Sequence, residues 1–413
     1  MKKEEFYEEA IPNSQGPLEG IRILEATTTQ AGPVAGALLT DLGAESIKVD
    51  APMVGEMGRY IPPFLNEENR LETSIYYMTY NRNKKCITLT LNRPEGQEVF
   101  RELASHVDII IQNYKPGTME KWGLGYKAIQ QIKPDIIYVS ISGFGQYGPY
   151  HTRPAYDPLG QAMSGLMSIN GYPDGPPMKT GGPIADNLTG WQGALGALAA
   201  LHYKNRTGKG QHVDVSMVDS LLNVSDWGIP LAAHLGQVWQ RQGNAYYPIG
   251  LDPVVKCQDE YIVLLVAIDS HWAKLCKLMG REELIEDPRT KGMINRAQNA
   301  ALVNQVIRDW AIDKPAAQIL PALEEAELVG SPILNFQQIL ENEHIRERGM
   351  IAEVEHPICG KVNLYGVATK YSRTPARTRT GAPLLGEHNQ EIYEGLLGYS
   401  PERMAQLQEK RVI

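Results

Sequence analysis

Residues 21–49 read IRILEATTTQAGPVAGALLTDLGAESIKV, and this stretch decides the fold. Ile21 to Ala26 is short and apolar, which predicts a strand. Val34 to Leu42 carries helical periodicity, with Pro33 suited to a helix start. Ser46 to Val49 predicts a second strand. The same alternation continues outward. Cys86 to Leu91 predicts a strand, Glu95 to Ser105 a helix and Asp108 to Gln112 an apolar strand. Tyr126 to Ile132 predicts a helix and Ile136 to Ile141 another strand. Short apolar strands alternating with helices predict an α/β domain whose mostly parallel sheet is covered on both faces. Ligands in such folds gather beyond the carboxyl ends of the strands.

Further along, Leu188 to Lys204 predicts a long helix in which Leu188, Trp191, Leu195, Leu198 and Leu201 share roughly one face. Thr207-Gly208-Lys209-Gly210 stops it. His212 to Val215 predicts a strand and Met217 to Val224 a helix. The composition then changes. A strand at Tyr261 to Ala267 and helices at Ala300 to Ile312 and Ala316 to Ala326 predict a second, smaller α+β domain over 226–330. The division is then 1–225 for the larger domain, 226–330 for the smaller, and 331–413 returning to the larger. The returning segment holds a helix at Phe336 to Arg346, strands near Ile351 to Val354 and Lys361 to Val367, and a final helical stretch.

Composition narrows the function. The 413 residues are 43% hydrophobic and 21% charged, enough to bury a large core without staples. The four cysteines, Cys86, Cys257, Cys276 and Cys359, lie far apart, with no CxxC pair or zinc spacing, so no metal site is expected. The N-terminus lacks the apolar run of a signal peptide, and Tyr261 to Ile268 is too short an apolar run to span a bilayer. These features predict a cytoplasmic protein with no membrane partner. A net charge of −8 supplies no overall field for nucleic acid, so an anionic ligand needs locally gathered cations or backbone N–H groups.

Gly143 to Gly148 matches GxGxxG after a strand, but Pro149 and Pro154 follow too closely for a helix to open there, so a loop is expected. Gln30-Ala31-Gly32-Pro33 reads equally as a tight strand-to-helix turn or as a ligand seat at a helix N-terminus. Asn113-Tyr114-Lys115-Pro116-Gly117 lies at a strand's carboxyl end, and Lys115 and Lys121 are candidate phosphate contacts. Arg82, Lys84 and Lys85 form a basic run of the kind usually found on surfaces. Asp186 opens the long helix. Asp is a favoured N-cap, and a helix N-terminus would also keep a carboxylate ionised, hence nucleophilic; the two readings are compatible. No GxSxG is present, and the nine histidines fall in no recognisable arrangement.

In order and spacing these segments resemble the class III CoA-transferases, the family of formyl-CoA transferase and the carnitine and bile-acid CoA-transferases. The resemblance runs through Gly16 to Gly20, Gln30 to Pro33, Gly43 to Val49, Asn83 to Lys85, Asn113 to Gly117, Ala155-Tyr156-Asp157, Ala185-Asp186-Asn187, Thr207 to Gly210 and Ala382 to His388. It implies a Rossmann-like large domain, a small domain and a homodimer of interlocked chains. It places the catalytic aspartate at Asp186. It places Gln30, Ala31, Leu89, Thr90, Leu91, Asn113, Tyr114, Lys115, Lys121, Ala155, Tyr156 and Asp157 on or beside positions that hold coenzyme A in relatives. One departure stands out. Some relatives carry a run of glycines in the small domain, where this chain has only Gly250 in Pro248 to Asp252.

The resemblance implies transfer of coenzyme A from an acyl-CoA to a free carboxylic acid, with coenzyme A as substrate rather than a tightly bound cofactor. The nearest alternative is an α-methylacyl-CoA racemase, which shares the scaffold and the aspartate. A non-catalytic CoA-binding subunit is a third reading. The racemases add a histidine about thirty residues before the aspartate. Here that position falls at Tyr156, with His151 five residues earlier. Tyrosine titrates near pH 10 and is a poor proton carrier at neutral pH, which favours transfer.

Overall fold

The computed structural model describes residues 1–266 and 268–413. The chain forms two compact units. The larger contains 1–165, 181–226 and 343–413; the smaller contains 166–180 and 227–342. The larger unit is built on six strands: β1 (Arg22–Ala26), β2 (Glu45–Asp50), β3 (Lys84–Thr88), β4 (Ile109–Gln112), β5 (Ile137–Ser142) and β6 (His212–Ser216). They lie in the order β3-β2-β1-β4-β5-β6, and every pair is parallel. This is the order of a doubly wound sheet, whose ligand crevice opens where the strand order reverses, between β1 and β4.

Strand periodicity feeds two cores from one sheet. Ile23, Ile109, Ile111, Ile137 and Val139 pack against the Ala31–Asp41 and Ile184–Thr207 helices. Leu24, Ile47, Ile110 and Tyr138 face the opposite way, onto Phe100 and Leu103 of the Pro94–Ser105 helix and onto Tyr393 and Tyr399. β3 stops at Thr88, earlier than expected, because the backbone then turns to the C-terminal residues: Thr90 N donates to Val412 O at 2.8 Å. The Ile351–His356 and Gly360–Tyr365 strands form their own antiparallel hairpin. The smaller unit holds a three-stranded antiparallel sheet over a separate core. Its central strand is Tyr261–Leu265; the sequence reading carried it to Ala267, which lies outside the described residues.

Two features depart from the sequence reading. The long helix buries mostly its small residues, and of the five large ones only Leu201 is buried. Ala185, Gly190, Gly193, Ala194, Ala197 and Ala200 are buried, while Trp191 and Leu195 are 56% and 59% exposed. Helix–helix approach explains the choice. A Cβ at Gly190 would lie 2.5 Å from the Val34 side chain, and one at Gly193 would lie 2.8 Å from Ile141. At these two points only glycine lets the helix settle so close to its neighbours. Arg82 and Lys84, read as surface charge, are buried and paired. Arg82 reaches Asp41 at 2.6 Å and Lys84 reaches Glu25 at 2.9 Å. Charges this deep are tolerated because each has a carboxylate partner.

Candidate active site

The carboxyl ends of β1 and β4 are tied together by side chains. Asn113, immediately after β4, uses both ends of its amide on one residue: Oδ1 accepts from Thr28 N at 2.8 Å and Nδ2 donates to Thr28 O at 2.9 Å. Gly32 is required here, since a Cβ would lie 2.9 Å from the Asn113 amide carbon. Gln30 caps the following helix, is 2% exposed, and sends its side chain to a third element. Its Nε2 donates to Asn187 Oδ1 at 2.8 Å, while its Oε1 accepts from the Tyr76 hydroxyl at 3.0 Å. Ala31 is buried in the first turn of the same helix.

Asp186 stands in the first turn of the Ile184–Thr207 helix. It is not the N-cap expected from sequence; the helix begins earlier, at Ile184 after Pro183. The orphan N–H groups are met from elsewhere. Asp157 Oδ1 accepts from Ala185 N at 2.7 Å and from Asp186 N at 3.4 Å, and Oδ2 accepts from Gln161 Nε2 at 2.6 Å. Gly160 fits the same junction, where a Cβ would press on Met217 and Ala185.

This arrangement reverses one electrostatic expectation. Burial first, and the Asp157 carboxylate second, push the Asp186 carboxyl up to about 7. The helix terminus does not offset this, because the Ala185 and Asp186 N–H groups serve Asp157 and those of Ile184 and Asn187 go to backbone carbonyls. Tyr76 is raised above the ordinary tyrosine range by burial and then by Asp186, with Glu56 and Asp157 adding to the effect. Tyr80 is pushed up to about 12 by burial, with Asp186 again contributing. Both hydroxyls therefore remain protonated donors.

Gln30, Ala31, Asn113, Asp157 and Asp186 thus belong to one connected set. Tyr114 follows Asn113, half-buried, edge-on to Trp122 at 5.3 Å and with its amide held by Gln112. Lys115 and Lys121 are exposed on the turn and short helix beyond. Tyr156 is 65% exposed beside the buried Asp157, and Ala155 packs against Gly143. Leu89 and Leu91 are core residues, the Thr90 hydroxyl bonds to Arg411 O, and the backbone of that turn is engaged with Asp50, Val412, Arg93 and Gln97. The Gly143 to Gly148 segment is irregular, with Gly145 and Gly148 at positive φ. Sequence reasoning missed Tyr76, Asn187 and Glu56 as site residues. Asn187 had a signal, its place next to Asp186. The other two had none, since only folding brings Tyr76 to Gln30 and Glu56 to the Thr28-Thr29 turn.

Among the described residues, no cluster of His, Cys, Asp and Glu could hold a metal ion, and no helix is long and apolar enough to cross a membrane. The profile of CoA-transferase family III matches residues 18–389. The chain is 35% identical to succinyl-CoA–D-citramalate CoA-transferase of Chloroflexus aurantiacus, over 96% of this chain and 98% of that one. It is also 35% identical to formyl-CoA:oxalate CoA-transferase of Streptomyces coelicolor, over 96% and 99%. A CAIB/BAIF family protein from Brucella suis superposes with a TM-score of 0.82 at 31% identity, covering 92% of this chain and all of that one. Together with the doubly wound parallel sheet, these matches establish that the chain belongs to CoA-transferase family III.

Proposed function

We propose that this enzyme moves coenzyme A between carboxylic acids through covalent intermediates on Asp186. The observation that carries the reading is the setting of that carboxylate: half-buried in the first turn of its helix, beside the Asp157 carboxylate that takes the neighbouring N–H groups, and next to the Asn187–Gln30 contact, with burial raising it to about 7. A desolvated carboxylate poised near neutrality is a competent nucleophile once ionised.

The exchange balances without an added proton. The Asp186 carboxylate attacks the acyl-CoA carbonyl; a C–O bond forms, the C–S bond breaks, and a mixed anhydride and CoA thiolate result. The thiolate attacks the aspartyl carbonyl, forms the aspartyl-CoA thioester and expels the donor acid. The acceptor carboxylate then attacks that thioester, regenerating an anhydride and thiolate. The thiolate finally takes the acceptor acyl group and frees Asp186. Splitting one difficult displacement into four acyl transfers lowers each barrier. Oxyanions on the way require fixed N–H donors; the Gln30 amide is held at Asn187, the next residue along.

The racemase reading is less well supported, because Tyr156 stands where the racemases carry their histidine. His151 is engaged with Gly148 O at 2.7 Å. The named relatives use succinyl-CoA with D-citramalate and formyl-CoA with oxalate, which makes small mono- and dicarboxylic acids the first panel. Incubation with each acyl-CoA, then intact-protein and peptide mass spectrometry, is expected to find a CoA or acyl adduct on the Asp186 peptide. Exchange of α-protons with deuterated solvent, without any CoA transfer, would overturn the reading.

Lys115 and Lys121 are proposed to meet the phosphates of coenzyme A. Both are exposed beyond β4, and an acidic chain needs local cations for an anionic ligand. Lys121→Glu is expected to raise the KM for the thioester about tenfold and to leave the KM for the free acid unchanged. Equal KM values for parent and variant would make Lys121 a solvated surface charge.

A homodimer is proposed on the outward apolar residues of the long helix. Trp191 and Leu195 line a groove of about 650 Å³ with Tyr80, Leu198 and Tyr365. An apolar face of this kind is costly in water. Sedimentation at nanomolar concentration is expected to find two chains per particle, and a folded monomer there would exclude the proposal.

A further inference from the structure

The loop that carries Gln30 is held in a conformation it would not choose. Thr29 sits at φ 63°, in the left-handed region that β-branched residues avoid. Such a residue persists only where neighbours over-determine it. One neighbour is Asn113, on Thr28. The other is Glu56, 8% exposed, from a segment that lies between β2 and β3 in sequence.

Glu56 places three donors on one oxygen. Oε2 accepts from Thr28 Oγ1 at 2.9 Å, from Thr29 N at 2.8 Å and from Gly58 N at 2.7 Å. The fit is tight, since a Cβ on Gly58 would lie 2.5 Å from Oε1. The second oxygen, Oε1, is buried without a hydrogen-bond partner. Burying half a carboxylate unsatisfied is unfavourable. The three bonds to Oε2 keep it there.

The consequence runs along the chain. Thr29 N is fixed, so Gln30 is fixed. Tyr76 stays a donor, so the Gln30 oxygen faces it and the Gln30 amide nitrogen faces Asn187, next to Asp186. We propose that Glu56 is a positioning residue for the transfer reaction, clamping the Thr28-Thr29 backbone so that Gln30 stands correctly beside the reacting aspartate. The inference rests on Asp186 being that aspartate.

The arrangement distinguishes a clamp from a chemical role. All three hydrogen bonds go to one oxygen, so glutamine can keep them with its carbonyl while its NH2 takes the unpartnered place. Alanine keeps none. With the full-length enzyme and succinyl-CoA plus its acceptor acid, Glu56→Ala is expected to lower kcat about 30-fold with the thioester KM within about twofold, the signature of misplaced groups rather than lost binding. Glu56→Gln is expected to retain kcat within about fivefold. Adding Thr29→Gly to Glu56→Ala is expected to recover at least about threefold, because glycine takes positive φ unaided. If Glu56→Ala does not fold, Thr28→Val, which removes one bond to Glu56, is expected to lower kcat about fivefold. The proposal is overturned if Glu56→Ala, or Thr28→Val in its place, keeps the parent kcat, or if Glu56→Gln is as impaired as Glu56→Ala. An Asp186→Ala arm reports separately on the covalent mechanism: full transfer there sinks that mechanism whatever the Glu56 variants do.

Discussion

Asp186→Asn is expected to lower CoA transfer by at least about 10⁴-fold while leaving CoA-thioester binding nearly intact, since the amide keeps the volume and loses the nucleophile. The helix start does not depend on the Asp186 side chain, because Asp157 supplies the cap to Ala185 N and Asp186 N. The variant should therefore fold, and a loss of rate can be read as chemistry. In the parent enzyme, hydroxylamine added during turnover should convert the Asp186 peptide to a hydroxamate, and borohydride should reduce the thioester form. Neither mark should appear in the variant. Transfer at the parent rate by Asp186→Asn would remove Asp186 from the mechanism.

The second large effect is on pH. Asp186 must be ionised to attack and in the substrate-free enzyme holds its proton to about 7, so kcat/KM is expected to fall about tenfold per pH unit below that value. Stability moves in the opposite sense. The unfolded side chain ionises near its ordinary value of 3.8, whereas the folded one keeps its proton to about 7. Between these limits the folded state binds more protons, so stability is greatest below the window and declines as pH rises through it. Above pH 7 the buried charge costs at most roughly 4 kcal/mol, at about 1.36 kcal/mol for each tenfold change in the ionisation equilibrium. Asn at this position cannot ionise. Thermal unfolding of the substrate-free protein should place Asp186→Asn level with the parent near pH 4 and several degrees above it at pH 8. A variant no more stable than the parent at pH 8 would show that Asp186 is not held up by its surroundings. The two effects together describe a site that gives up stability to keep a desolvated nucleophile.

Much of this was legible locally. β1, β2, β4, β5 and β6 each fall within one or two residues of their apolar runs, because short apolar segments bounded by turn residues leave few alternatives. Thr207-Gly208 ends the long helix as read, with Gly208 in the left-handed conformation. What failed were readings that assumed each residue's own neighbourhood decides its role. The large apolar residues of the long helix were the obvious core face, yet two of them point outward. Segment 166–180, read with the larger domain, groups with the smaller unit, where Gly171 O accepts from Gly243 N and Arg241 donates to the carbonyls of Tyr172 and Gly175.

The sequence by itself determined the alternating strands and helices, the irregular loop at Gly143 to Gly148, and the aspartate at the start of a long helix. These follow from backbone preferences and hydrophobic period, which act over a few residues. Only the tertiary structure decided that Asp157, 29 residues before Asp186, would cap its helix, that Tyr76 and Gln30 would meet beside Asn187, and that Lys84 would be buried on Glu25. Each is a pairing between distant segments, and burial sets its strength: the same carboxylates in water would neither raise one another's pKa nor need a fixed partner.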